Sequence, residues 1–337
     1  MRSLKSAPGN AMLRTAKVWV KQCIQRLSWG FWIVITIMPE VVGAQEAVGR
    51  RLFADQLVIS EPFIEDELTM PSIVHIRRPA TAGEAPRALA TQFGGELKKR
   101  LTPNLEGSVS GGLTLLDRAE GSSLAGFDNL SLGLKYQFLR SPAREAVASV
   151  ALDWEVAGTG RAATGAESFH TISPALLFGK GFGDLPDGLA GFKPFALAGL
   201  LGAGLPTRAY TRTLSGNEVT IVPHPDLLKW GVVIEYSLFY LQSHVKDLGL
   251  PIPLDRMVPL AELDFQTAVD RGAAGKTVGT ANVGVVWVGT IVQIGMEAVV
   301  PVNERSGKNV GVRAFLRIGL DELFGGRLGR PLFGGPD

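Results

Sequence analysis

Cysteine is almost missing from this chain: Cys23 is alone among 337 residues. A lone thiol forms no intramolecular disulfide and no thiolate metal centre. Histidine is scarce too, and His75, His170, His224 and His244 are too scattered to give a metal-ligand spacing. Neither a metal nor a cofactor is therefore expected. Beyond the N-terminal region, no stretch reaches the ~18 consecutive apolar residues of a membrane-spanning helix. Charged residues make up only 20% of the chain, close to the average for globular proteins.

What is present begins with an export pattern. Arg2, Lys5, Arg14, Lys17, Lys21 and Arg26 form a basic lead, and an apolar run follows from Trp29 to Met38. Pro39-Glu40 breaks that run before the small-residue ending Val42-Gly43-Ala44. This reads as a signal peptide over 1–44, cleaved near Ala44, with Met12 as an alternative start. The other reading is an N-terminal membrane anchor, for which the run is short. Cleavage removes six basic residues and one acid, Glu40, so the net charge falls by five, from +2 to −3. The apparent basicity belongs to the signal, and no nucleic-acid partner is expected. Cys23 leaves with it, and its place before the apolar run does not suit lipoprotein acylation.

From about residue 89 apolar and polar residues alternate. Leu130, Leu132, Leu134, Tyr136 and Phe138 interleave with Ser131, Gly133, Lys135 and Gln137. A period of two makes a strand with one greasy and one polar face. The same pattern recurs over 105–115, 146–156, 228–240, 257–266, 280–287, 292–300 and 309–321, and less cleanly near 168–180 and 192–203. Alternation alone also fits a soluble sandwich. Three features favour a membrane barrel. The strands run ~10–13 residues, near the 9–11 of a transmembrane strand and beyond the 5–6 of a globular one. Short and long connections alternate. Aromatics sit near strand ends on the apolar face, with Tyr136, Phe138, Tyr240 and Trp287 at one rim and Trp154 and Trp230 at the other.

The expectation is an all-β, antiparallel, up-and-down transmembrane barrel of about twelve strands over 71–324, ten or fourteen remaining open. It is preceded by an irregular acidic periplasmic segment, 45–70, and followed by a periplasmic tail, 325–337. Its partners would be outer-membrane lipid and a small-molecule solute.

The polar face would line the lumen. Lumen or solute-path candidates are Glu235, Glu262, Asp264, Lys135, Asp153, Glu155, Glu297, Arg313 and Arg317. Neighbouring strands suggest pairs: Lys135 with Asp153 or Glu155, and Glu297 with Arg313 or Arg317. Glu235, Glu262 and Asp264 form an acidic group without an evident cation. Such charges either fill and rigidify a narrow barrel or form a selective constriction.

Catalysis is not expected. Membrane-embedded lipid hydrolases place His and Ser on one strand as His-x-Ser. Here Ser173 follows His170 by three residues, on the opposite face, and Ser168-Phe169-His170 has the reverse order. Gly179-Lys180-Gly181-Phe182-Gly183 lacks phosphate-loop spacing and reads as a turn.

The stretch Gly126-Phe127-Asp128-Asn129-Leu130-Ser131-Leu132-Gly133-Leu134-Lys135-Tyr136 resembles a strand of the outer-membrane barrels loosely named for the meta-pathway of phenol degradation. Tyr240 to Pro301 and Leu320-Asp321-Glu322-Leu323-Phe324 are also similar to that group, so the resemblance spans roughly 60–324. It implies an outer-membrane barrel passing small hydrophobic or aromatic compounds, and no catalytic motif. The chain departs at its end, where Phe324 and Phe333 precede a Gly-Gly-Pro-Asp finish in place of a terminal aromatic. The function expected is thus a channel or transporter for small molecules. The alternatives are a structural or interaction barrel with an interior plugged by its own ion pairs or by residues 46–70, and a lipid hydrolase.

Overall fold

The alternating stretches become strands because each can bury one face only. The computed structural model describes residues 47–78, 88–118, 122–215, 218–324 and 329–333; the expected signal and most of the C-terminal tail lie outside them. The wall consists of β1 Glu67–Arg78, β2 Ala88–Thr102, β3 Leu105–Arg118, β4 Leu130–Ser141, β5 Ala146–Val156, β6 Thr171–Gly181, β7 Phe195–Pro206, β8 Leu227–Tyr236, β9 Met257–Ala268, β10 Thr277–Val288, β11 Val292–Pro301 and β12 Gly311–Gly319. Each pairs antiparallel with the next. β12 returns to β1, with Gly319 opposite Glu67 and Val312 opposite His75. The expected twelve-stranded closed barrel is what forms, and closure removes the sheet edges.

The wall is polarised opposite to a soluble protein. Leu132, Leu152, Leu263, Val283 and Met296 stand exposed on the outside, while Glu106, Ser149, Glu235, Glu262, Asn282 and Glu297 are buried within. A lipid surround suits the first set. Among the described residues no helix is long and apolar enough to span a membrane; the crossing is made by strands. Tyr136, Phe138, Trp154 and Trp230 point outward as expected.

The three shortest connections, 103–104, 142–145 and 289–291, all lie at one end, but two long ones lie there too. One end, here the turn end, carries residues 103–104, 142–145, 182–194, 237–256 and 289–291, together with both ends of the barrel chain. The loop end carries 157–170, 207–226, 269–276 and 302–310, including a hairpin of Tyr210–Ser215 against Glu218–Pro223. The two long turn-end links hold short helical turns, Asp187–Phe192 in one and Leu238–Tyr240, Leu241–Val245 and Leu254–Arg256 in the other. Residues 329–333 fold back on β2, where Leu332 and Phe333 N–H groups donate to the carbonyls of Arg100 and Leu101 at 3.1 and 2.7 Å.

Two boundaries differ from expectation. The alternation through Tyr240 overruns β8, which ends at Tyr236. Ser237 Oγ accepts the Tyr240 N–H at 3.1 Å and caps a helical turn. Tyr240 is therefore buried beneath the barrel instead of standing in an aromatic girdle. At the other end β1 begins at Glu67, and the segment before it is not a periplasmic extension. Residues 51–66 run inside the barrel.

Candidate functional site: a segment threaded through the lumen

Residues 51–66 mix acids with apolar side chains, and the inner wall offers a partner to each. Gly49, at φ +69°, turns the chain so that Val48 pairs with Arg51 and Ala47 with Leu52. A Cβ at Gly49 would stand 2.3 Å from the Pro142 carbonyl oxygen, so glycine permits the close approach to the β4–β5 turn. Arg51, fully buried, donates to the carbonyls of Lys193, Pro194 (2.8 Å) and Phe195 (2.9 Å) and lies 3.5 Å from Glu145 Oε2. Burial and the adjacent Glu145 carboxylate push the Tyr240 phenol up. It stays protonated and donates to Glu145 Oε1 at 3.2 Å.

The segment is anchored apolarly at two places. Ala54 and Ile59 pack with Ala198, Val233, Val258, Leu260, Val286 and Phe315. Val48, Phe53 and Phe63 pack with Val147 and Ala196. Part of the lumen wall is thus apolar, and the segment covers it. Fully burying one such large side chain contributes about 1.5–3 kcal/mol.

The backbone of a buried irregular segment must find partners outside itself, and wall side chains supply them. Ala54 N–H donates to Glu235 Oε2 at 3.1 Å, and Asp55 N–H to Gln293 Oε1 at 3.2 Å. Leu57 and Val58 N–H groups donate to the two oxygens of Glu262 at 2.8 and 2.9 Å. Glu65 N–H donates to Glu106 Oε2 at 2.8 Å. In the other direction Lys135 Nζ donates to the Phe63 carbonyl at 2.6 Å and Arg313 Nη1 to that of Leu57 at 2.7 Å.

Ion pairs complete the seat. Arg317 meets Asp55, Glu65 and Glu67, and Lys98 meets Glu61 and Glu67. The ligand atoms of Asp55, Glu61, Glu65 and Glu67 all lie within 4.8 Å of one another. Arg317 and Lys98 supply the positive charge there that a metal ion would bring.

The nine candidate residues are all on inward faces. Glu297 lies 3.7 Å from Arg313, one of the suggested pairs. Lys135 corrects another: it pairs with Glu106 at 3.0 Å. The register puts Asp153 opposite Gly133 and Lys135 opposite Ala151, so Lys135 reaches back to β3 and not forward to Asp153 or Glu155. Glu155 accepts instead from Asn129 Nδ2 at 2.9 Å. Glu235, Glu262 and Asp264 lie on adjacent strands but do not share one centre. Leu260 faces Glu235, Val233 faces Glu262, and Gly231 faces Asp264. Arg51, 3.9 Å from Glu235 Oε1, is a cation that reasoning about strands alone could not supply.

On the loop-end side of the segment lies a cavity of about 450 Å³. It reaches from Asp128 and Asn129 down to residues 55–61, between the inner faces of β1 to β6 and β12. Serines, glycines and carboxylates dominate its lining. Gly133 is part of the wall, where a Cβ would come within 2.3 Å of Ser108 Oγ. His170 lies elsewhere: its Nδ1 accepts from Trp154 Nε1 and Ala157 N–H, both at 3.1 Å, while Ser173 Oγ accepts from Lys229 Nζ.

No family model matches the sequence, and no curated protein is significantly similar to it. Solved structures do match the fold. The COG4313 outer membrane channel from Pseudomonas putida F1 superposes with a TM-score of 0.52 at 11% identity, over 77% of this chain and 97% of that one. The NanC porin matches with a TM-score of 0.43 at 6% identity, over 75% of this chain and 98% of that one. The first similarity shows the fold, that of an outer-membrane β-barrel.

Proposed function

We propose that this chain, once exported, is an outer-membrane channel for small polar solutes, held closed by its own residues 51–66. The observation that carries this reading is where the cavity stops. It runs between strands of the wall and ends on residues 55–61, a segment that belongs to no strand. The similarity of residues 126–136 to the phenol meta-pathway barrels supports a small-molecule role. The hydroxyl and carboxylate lining favours hydrophilic solutes over the hydrophobic or aromatic ones that resemblance implies, because an apolar solute would strip these groups of water without replacing their hydrogen bonds.

Planar-bilayer recording tests it. Full-length protein should show small or rare conductance steps, and deletion of 47–66 should give larger, persistent ones. A deletion variant that inserts as a folded barrel yet stays silent would overturn the channel reading. It would favour the second one, a structural barrel rigidified by an internal segment. That alternative draws support from the density of hydrogen bonds holding the segment. It expects deletion to lower stability and leave conductance unchanged.

A further inference from the structure

The lumen is unbalanced in what it offers a visitor. Most of its charged acceptors near the segment already have partners, but three carboxylates on the cavity wall do not share in this. Among the described residues neither Glu96, Asp128 nor Asp153 is in an ion pair. Asp128 accepts a hydrogen bond from Thr114 Oγ1 at 2.6 Å. The two lysines of the same cavity are committed, Lys98 to Glu61 and Glu67, Lys135 to Glu106. The space is therefore net acidic, with Ser72, Ser108 and Ser110 as further hydrogen-bonding groups.

The wall behind the segment shows the same bias. Glu235 and Glu262 are occupied by backbone N–H donors of Ala54, Leu57 and Val58. Asn282 stands directly opposite Glu262 and is about 1% exposed, yet neither its Oδ1 nor its Nδ2 has a hydrogen-bond partner. On the next strand Glu297 is about 2% exposed, and neither carboxylate oxygen accepts a hydrogen bond. Arg313, 3.7 Å away, is the cation nearest to it among its ion pairs and also donates to the Leu57 carbonyl. Unpartnered acceptors outnumber unpartnered donors on this wall, Glu235 Oε1, Asn282 Oδ1 and both Glu297 oxygens against Asn282 Nδ2 and Arg313 Nε, and the segment supplies only some of the N–H groups they could take. A buried acceptor left unsatisfied is costly because it gives up water without replacing it, so a ligand rich in N–H groups gains at each such position.

We infer that the lumen is a binding path for small organic cations carrying several N–H donors, of which linear oligoamines are the simplest class. The cavity is the first station, with Glu96, Asp128 and Asp153 as its counter-charges. Glu235, Glu262, Asn282 and Glu297 form the second, reached when such a cation takes over the acceptors that the backbone of residues 54–58 now occupies. The physiological role rests on the channel reading; the binding does not.

Calorimetric titration of spermidine into the full-length, detergent-solubilised chain tests the first station. Saturable binding is expected, weakened about two- to fivefold by Glu96→Gln or Asp153→Asn, the scale of a solvated charge contact. Asp187→Asn, on the exposed turn end, should leave it unchanged. Succinate binding as tightly as spermidine, or a Glu96→Gln/Asp153→Asn double variant with unaltered spermidine affinity, overturns the inference. Reversal potentials of the 47–66 deletion variant separate it from the channel reading. Cation preference supports both. Conductance with anion preference keeps the channel and rejects the inference. A silent but folded barrel whose spermidine binding still responds to the two substitutions keeps the inference and rejects the channel.

Discussion

The guanidinium of Arg51 lies 4.4 Å from the centroid of the Tyr240 ring, at the point where the chain passes from the turn end into the lumen. The cation is fully buried, stacked on an aromatic face and hydrogen-bonded to three carbonyls of the β6–β7 link and β7. With the Glu145 contact, it pins the start of the segment to three turn-end links at once.

Removing that pin should loosen everything after it. Arg51→Ala leaves Glu145 and Glu235 buried without their shared cation, a change of about 3–5 kcal/mol for a broken buried pair. The expected outcome is faster hydrogen exchange across 51–66 and more frequent conductance steps from full-length protein, with the barrel still folded. Tyr240→Phe keeps the ring beneath the guanidinium and should have a much smaller effect.

Glu262 holds two N–H groups with one carboxylate. Glu262→Ala should speed exchange of the Leu57 and Val58 amides at least about fivefold, since orphaning one buried donor costs about 1–3 kcal/mol. Glu262→Gln keeps one acceptor oxygen and should protect one of the two. Residue-resolved exchange by NMR checks the split.

Gly49 is exposed to a double constraint, a positive φ and a carbonyl oxygen where a Cβ would go. Gly49→Ala should therefore shift the small turn away from Pro142 and expose 47–52 to limited proteolysis. Gly188→Ala is the control, because a Cβ there meets nothing within 4 Å.

Adjacent positions on β5 report which face meets lipid. Leu152→Arg should destabilise the barrel by about 2–4 kcal/mol, as for a cation facing lipid near the midplane. Asp153→Asn, on the lumen side, should change unfolding in urea by much less. Equal effects at the two sites would contradict the inside-out wall.

The wall was legible in the sequence because lipid on one side and a polar lumen on the other impose a period of two on every strand. The Glu297–Arg313 pair was legible for the same reason, being a nearest-neighbour contact across consecutive strands. Residues 46–70 could be offered as a plug, but the contacts that hold 51–66 could not be read. A segment whose backbone is satisfied by Glu262, Glu106 and Lys135 needs no ladder partner, so it carries no periodicity to read. Its acids read as an irregular periplasmic segment or as part of a plug, and neither reading named Arg317 and Lys98 as the complements of Asp55, Glu61 and Glu65. The Lys135–Glu106 pair was missed because each charge was matched to the following strand and not the preceding one. At Tyr240 the alternation continued past the point where Ser237 caps a turn, and pattern alone cannot see a cap overriding a strand.

Arg317 sits on the last strand and grips Asp55 and Glu65, which precede the first strand, and Glu67, which opens it. The seam between β12 and β1 is therefore stitched from inside as well as along its backbone. Asp55, Glu65 and Glu67 must be in place for that stitch to be made. A wall closed without its filling would leave Arg317 with only Glu67 of these three carboxylates, so seating the segment finishes a joint that closure merely begins.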